Sequence, residues 1–227
     1  MKTIAILLAA GRGSRFGGEI KKQFVKVWDK PLLYYSLKAF NESNVDEIII
    51  VTSKEDIAYI EDIVKYYNFT KVSNIVTGGD ERYDSVYKGL LEVERGICLI
   101  HDCARAMIST ELINRCREET FKYPAVIPVV DLKDTVRLRA GDFGGDTFDR
   151  NSLCIVQTPQ CFDIELIKSA FEKMYKSDYK SLGITDDAMV VEKFSDIKVK
   201  LIDGDYHNIK VTTAEDMEIA KVFLGRK

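Results

Sequence analysis

The sequence predicts an α/β chain: a doubly wound, mostly parallel sheet with helices on both faces and one projecting β-hairpin arm. Three observations point there. Short β-branched apolar runs alternate with helix-length amphipathic runs through the first half of the chain. A glycine-rich loop follows the first of those runs directly. The rhythm then breaks after Ala125, where two β-like runs flank the glycine-rich turn GDFGG.

The elements follow in order. Ile4 to Leu8 reads as a buried first strand, and Pro31 to Phe40 as a helix with Leu33, Leu37 and Phe40 on one face. Strands are expected at Glu47 to Val51, Val72 to Val76 and Ile97 to Ile100. Helices are expected at Glu55 to Tyr66, Asp84 to Val93 and Thr110 to about Phe121. Thr135 to Arg139 and Thr147 to Val156 read as the two strands of the arm, which spans 132–156 within a single domain of 1–227. An isolated hairpin is marginal in water, so packing against a second subunit would supply the missing burial. The chain closes with helices from Ile164 to Tyr175 and Asp186 to Phe194, a strand from Val199 to Ile202 and a helix from Ala214 to Leu224. Thr213 and Asp216 form a capping box at the start of that last helix.

Composition excludes several classes. With 33 Lys and Arg against 36 Asp and Glu, the net charge of −3 gives no bulk attraction to nucleic acid. The N-terminal apolar run superficially resembles a signal peptide, but it is short and enters a charged glycine loop, so a strand is expected instead. No run is long enough for a membrane span. Five cysteines without a C-x-x-C, and only His101 and His207, argue against a zinc site or a disulfide framework. Free thiols in a reducing cytoplasm are the expectation. Cys103 has no base or partner cysteine placed beside it by the sequence, so it is not expected to act as a nucleophile.

The loop after the first strand, AAGRGSRFGGEIKKQF, carries Arg12, Arg15, Lys21 and Lys22 within a short span. It lacks the G-x-x-x-x-G-K-[ST] of a P-loop. It also misses the G-x-G-x-x-G of a dinucleotide fold, because after Gly11 and Gly13 the third glycine arrives one position late, at Gly17. That disfavours an NAD-dependent oxidoreductase. What remains is a loop whose small residues admit a phosphate while Arg15 and Lys22 neutralise its charge, as phosphoryl or nucleotidyl transfer requires. A glycine turn with solvated cations is the plainer alternative.

With these residues in view, AAGRGSRFG…KKQF resembles the signature of the cytidylyltransferase family that acts on 2-C-methyl-D-erythritol 4-phosphate. GGDERYDSVYKGL, HDCARA, DLKDTV, DRNSL…QTPQCF, TDDA and NIKVTTAEDM follow in the order and spacing of that family. The resemblance implies a nucleotide-binding sheet, a cytoplasmic homodimer joined through the β arm, and transfer of CMP from CTP to a polyol phosphate with Mg²⁺. It implies that Ala9, Ala10, Gly11, Gly13, Gly78, Gly79, Asp80 and Ser85 bind the nucleotide. Arg15, Lys22, Asp102 and Lys210 would serve the chemistry; Asp102, Arg105, Thr135 and Arg150 would bind the acceptor. The metal would be held mainly by the triphosphate, with Asp102 as the protein candidate. Read without the family, Asp84 in place of Ser85 could serve the helix start as a cap, Asp102 could be an N-cap and Arg105 a surface ion pair. His101 is expected to shape its loop. Lys21 and Ala106 stand where the family usually has proline, which bears on how both loops are aimed. Ribitol 5-phosphate is the rival acceptor; a nucleotide-binding protein without turnover is the alternative of another class.

Overall fold

The computed structural model describes residues 1–11 and 20–225. Strand β1 (Thr3–Leu8) is followed by a short antiparallel pair, β2 (Lys26–Val27) and β3 (Lys30–Pro31), and by α1 (Leu32–Glu42). Then come β4 (Glu47–Thr52), α2 (Ile57–Tyr66), β5 (Val72–Thr77), α3 (Arg82–Leu91), β6 (Ile97–Asp102), α4 (Thr110–Thr120) and β7 (Ala125–Asp131). A hairpin, β8 (Arg137–Ala140) and β9 (Phe143–Thr147), precedes β10 (Cys154–Val156) and β11 (Gln160–Asp163). The chain ends with α5 (Ile164–Tyr175), α6 (Asp187–Phe194), β12 (Lys200–Asp203) and α7 (Ala214–Leu224).

The eight-stranded sheet has the order β10-β7-β11-β6-β1-β4-β5, with β12 also paired to β7. Pairing of β6, β1, β4 and β5 is parallel throughout. Antiparallel β11 inserts between β6 and β7, and antiparallel β10 borders β7, so the sheet is mixed at that end.

Side chains alternate across the central strands, which is why those strands read as continuous apolar runs: both faces are covered. On one face Ala5, Leu7, Ile48, Ile50 and Leu99 pack with Leu33, Leu37 and Phe40 of α1 and with Leu112, Ile113 and Cys116 of α4. On the other, Ile4, Ile6, Ile49, Val51 and Ile100 meet Val86 and Leu90 of α3 and Ile167, Ala170 and Phe171 of α5. A third small core joins Val27, Leu32, Ala106, Met107 and Val211 to α7. It lies beneath the loops that carry Arg105 and Lys210.

Helices α5 and α7 start and end where the sequence placed them, and α7 opens on the expected box. Asp216 N–H donates to Thr213 Oγ1 at 3.3 Å, and Thr213 N–H donates to Asp216 Oδ2 at 2.9 Å. The short pair β2 and β3, and β7 and β11 of the main sheet, are not foreshadowed in the sequence reading. The arm also differs from its expected register. The chain turns at Gly141, whose φ of +60° suits glycine, while Phe143, Gly144 and Gly145 belong to the second strand rather than to the turn. Arg137 pairs with Thr147 and Ala140 with Phe143, whereas Cys154–Val156 returns to the main sheet beside β7. Gly145 lies so close to Leu138 that a Cβ there would stand 3.1 Å from the Leu138 Cβ, which accounts for glycine within a strand.

Four of the cysteines (Cys98, Cys103, Cys116 and Cys161) are buried, Cys154 is half-buried, and all five are free. Burial pushes the Cys103 thiol well above its ordinary value, in keeping with an inert side chain. Among the described residues no helix is long and apolar enough to cross a membrane.

Candidate active site

The carboxyl ends of β1, β4, β5 and β6 surround a cleft of about 620 Å³, the position at which open α/β sheets bind ligands. Its floor comes from the end of β1. Ala9 N–H donates to Val51 O at 2.7 Å, and Ala9 O accepts from Gln23 Nε2 at 2.7 Å, so the first loop is tied to the turn Lys22–Phe24. Ala10, Gly11 and Lys22 face the cleft.

The turn after β5 forms a second wall. Gly78 N–H donates to Thr52 O at 2.7 Å and Gly79 N–H to Ser85 Oγ at 3.0 Å. A Cβ on Gly79 would lie 2.3 Å from Asp84 Cβ, so only glycine lets the turn fold back on α3. Helix α3 begins at Arg82, two residues before the expected start, and this changes the role of Asp84. Its Oδ2 accepts from Glu81 N–H at 3.1 Å and its Oδ1 from Tyr175 O–H at 2.8 Å, fastening the helix start to α5.

An ionic chain crosses the third wall. Lys210 Nζ donates to Asp102 Oδ2 at 2.6 Å, and Arg82 Nε donates to Asp102 Oδ1 at 3.0 Å. The Arg82 fork then donates to both oxygens of Asp187, at 3.0 and 2.9 Å. Burial alone would raise the Asp102 carboxyl, but the charges of Arg82 and Lys210 hold it far below the usual carboxylate range. Burial likewise opposes the charge on Arg82, and its two carboxylate partners overcome that and raise its pKa. Asp102 is therefore a fixed anion between two cations. It is not an N-cap, because it ends β6 and its N–H donates to Thr158 Oγ1 at 3.3 Å. The adjacent His101 is fully buried with Nδ1 2.9 Å from Thr158 Oγ1, and burial lowers its pKa to about 3.

Residues 3–226 match the family model for 2-C-methyl-D-erythritol 4-phosphate cytidylyltransferase. The chain belongs to this family. It is 45% identical over 223 residues to the 2-C-methyl-D-erythritol 4-phosphate cytidylyltransferase of Lachnospira eligens, covering 97% of this chain and 98% of that one. With the Clostridium perfringens protein of the same name it shares 43% identity over 227 residues, 98% of this chain and 99% of that one. Its fold superimposes on the crystal structure of 4-diphosphocytidyl-2C-methyl-D-erythritol synthase from Anaerococcus prevotii with a TM-score of 0.87 at 33% identity, covering 99% and 96% of the two chains. The chain is thus a cytidylyltransferase, and the doubly wound sheet with its separate hairpin is the family's architecture.

In this cytidylyltransferase the cleft gathers Ala9, Ala10, Gly11, Lys22, Gly78, Gly79, Asp80, Ser85, Asp102 and Lys210 from the residues singled out by sequence. Gly13 and Arg15 lie outside the described residues. Arg105 is not on the cleft wall: its guanidinium donates to Asn208 O at 2.8 Å and Val156 O at 3.2 Å, clamping the 208–211 segment behind Lys210. Val211 N–H donates to Ala104 O at 2.8 Å and completes that clamp. Thr135 and Arg150 sit exposed on the arm and do not line the cleft of their own chain.

Sequence reasoning missed Arg82, which links Asp102 to Asp187 in the ionic chain, and its deep partner Asp187. The signal was present in TDDA. Asp186 Oδ1 accepts from Met189 N–H at 2.9 Å as the cap of α6, which leaves the second aspartate to point inward. Gln160 holds the same turn, its Oε1 accepting from Asp187 and Ala188 N–H at 2.9 and 3.0 Å. Lys21, another residue of the cleft wall, is tied to the loop after β4.

Proposed function

We propose that the enzyme transfers CMP from CTP to 2-C-methyl-D-erythritol 4-phosphate and releases pyrophosphate, a step towards isoprenoid precursors. The observation that carries this reading is the convergence of Lys22, Arg82, Asp102 and Lys210 on a cleft whose floor is a small-residue loop at the end of β1. Family membership names the substrates that such a cleft receives.

The chemistry follows from charge. An oxygen of the acceptor phosphate attacks the α-phosphorus of CTP, the bond to the bridging oxygen of the β-phosphate breaks, and pyrophosphate leaves with that electron pair. The nucleophile is already an anion, so no general base is required. Positioning and electrostatic shielding carry the rate. The backbone of 9–11 and of the 78–80 turn binds the nucleotide, with Ser85 shaping that turn through its bond to Gly79. Lys22, together with Arg15, neutralises the triphosphate. Asp102 aims Lys210 at the incoming phosphate, and Arg105 holds the segment on which Lys210 stands.

Mg²⁺ bound to phosphate oxygens would supply further neutralisation of the triphosphate. The donor set suits a metal held mainly by the substrate: among the described residues no group of three His, Cys, Asp or Glu is gathered, and Asp102 is one carboxylate between two cations. The enzyme acts as a homodimer in this reading, and Thr135 and Arg150 of each arm grip the acceptor phosphate in the partner's cleft. The exposed apolar side chains Leu138 and Phe143 on the arm support such packing.

Pyrophosphate release with CTP and Mg²⁺ tests the reaction, run in parallel with methylerythritol 4-phosphate and ribitol 5-phosphate. Turnover of the first acceptor, abolished by Lys22→Ala, is expected. Preference for ribitol phosphate would keep the mechanism and overturn the acceptor; silence with both would overturn the activity.

A further inference from the structure

Lys21 precedes the turn that presents Lys22, and all three protons of its ammonium are committed. Nζ donates to Asp56 Oδ2 at 2.7 Å, to Glu55 Oε1 at 2.8 Å and to Ser53 Oγ at 2.9 Å. Ser53 Oγ itself donates to Asp56 Oδ2 at 2.6 Å, which closes a small ring of bonds on the loop after β4. Burial lowers the affinity of Lys21 for its proton, but the bonds to Asp56 and Glu55 outweigh that and raise its pKa. The backbone of Lys21 has φ −57° and ψ 134°. That φ lies within the narrow range a pyrrolidine ring would impose.

We propose that Lys21 is a positioning residue of this enzyme: its ammonium works as a tether that holds the following turn in a proline-like backbone and so fixes Lys22 on the cleft wall. Among the described residues the turn has further anchors on Lys22's far side. Gln23 Nε2 bonds to Ala9 O at 2.7 Å, and the Phe24 ring meets Tyr59 edge-on at 5.0 Å. Lys21 anchors the near side. Lys22 therefore stands between a tie to the end of β1 and a tie to the end of β4. These strands are neighbours in the sheet, so the cation is held to both edges of the loop pair beneath the triphosphate. A lysine whose donors are all engaged by protein oxygens does not reach the substrate, so its effect runs through Lys22. Three ionic hydrogen bonds here do what a ring would do covalently.

The inference rests on the triphosphate-binding role proposed for Lys22, and the experiment separates the two. Steady-state turnover of CTP and thermal melting are measured for Lys21→Ala, Lys21→Pro, Asp56→Asn, Lys22→Ala and the Lys21→Ala/Lys22→Ala double variant. Lys21→Ala and Asp56→Asn are expected to lower kcat/KM for CTP by about tenfold, the scale of a small misplacement of a reacting group. Lys21→Pro should return to within about twofold of the parent, because the ring restores φ without any charge. Lys22→Ala abolishes turnover, so on that background CTP affinity is read by calorimetry, and Lys21→Ala should weaken it no further, since its path through Lys22 is already cut. Equal loss in Lys21→Pro and Lys21→Ala, with melting temperatures unchanged, would mean that the charge of Lys21 acts directly and would overturn the tether. So would additive losses in the double variant or parental kinetics in Lys21→Ala; where Lys21→Pro does not fold, the double variant decides. A parent enzyme without turnover would instead overturn the proposed function, and CTP binding by calorimetry across the same variants would then read the tether alone.

Discussion

Acidification from pH 7.5 to 5.5 should cost the folded state about 1.4 kcal/mol through His101 alone. This imidazole is fully buried; its Nδ1 faces Thr158 Oγ1, and Nε2 has no hydrogen-bond partner among the described residues. Protonation would place a charge, and an N–H without an acceptor, inside the core. Burial is the largest influence and lowers the pKa to about 3; Asp102 pulls it back up and Arg105 pushes it further down. The unfolded chain takes up its proton near the ordinary value of 6.5. Between those values the unfolded state binds more protons than the folded one, so stability is intact above about pH 6.5 and is lost as pH falls towards 3. The window stops at pH 5.5, above the ordinary carboxylate range. For a chain of this size the loss corresponds to a fall in Tm of about 3–6 °C. Thermal melts would be recorded in a His207→Gln background, which removes the chain's other imidazole, with and without His101→Gln. His101→Gln should flatten the dependence between the two pH values. An equal slope in both proteins would refute the buried neutral imidazole.

Three further outcomes follow from the site. Arg82→Met removes both side-chain hydrogen bonds to Asp187 and one to Asp102, and should destabilise by about 3–5 kcal/mol in urea unfolding at pH 7, with the loss shrinking at low pH as the stranded carboxyl protonates. Gly79→Ala drives a Cβ into the first turn of α3, 2.3 Å from Asp84 Cβ, and should cost about 1–3 kcal/mol while raising KM for CTP more than it lowers kcat. If arms act across a dimer, mixing inactive Lys22→Ala with inactive Arg150→Ala and allowing subunits to exchange should restore about a quarter of parental activity, because half the dimers are then mixed and each has one complete site. No recovery on mixing would place Arg150 in its own subunit's cleft or remove it from the site.

The central fold was legible because its strands are buried on both faces and so read as unbroken apolar runs, with helix periodicity between them. β7 escaped notice since AVIPVVD contains a proline, a poor signal for an interior strand; Pro128 is accommodated beside β12, where the ladder continues at Ile202. The arm's register differs because GDFGG reads as one turn, when only Gly141 needs left-handed backbone and, of the later glycines, Gly145 is set by close approach to β8. Lys22, Asp102 and Lys210, which line the cleft, belong to local motifs, each short and contiguous.

Composition, periodicity and motif order by themselves determined the α/β class, the small-residue loop after the first strand and the kind of chemistry such a loop serves. Those are properties of contiguous residues, and contiguous patterns carry them. Only the tertiary structure decided which charges neighbour one another. Arg82 and Asp187 are 105 positions apart, and Asp102 and Lys210 are 108 apart. Their pairing is fixed by where β6, α3, α6 and the last loop meet, and a one-dimensional pattern does not contain that meeting. The same holds for Lys21, which in sequence is one more cation of a basic loop and in the folded chain is committed to three oxygens of another loop.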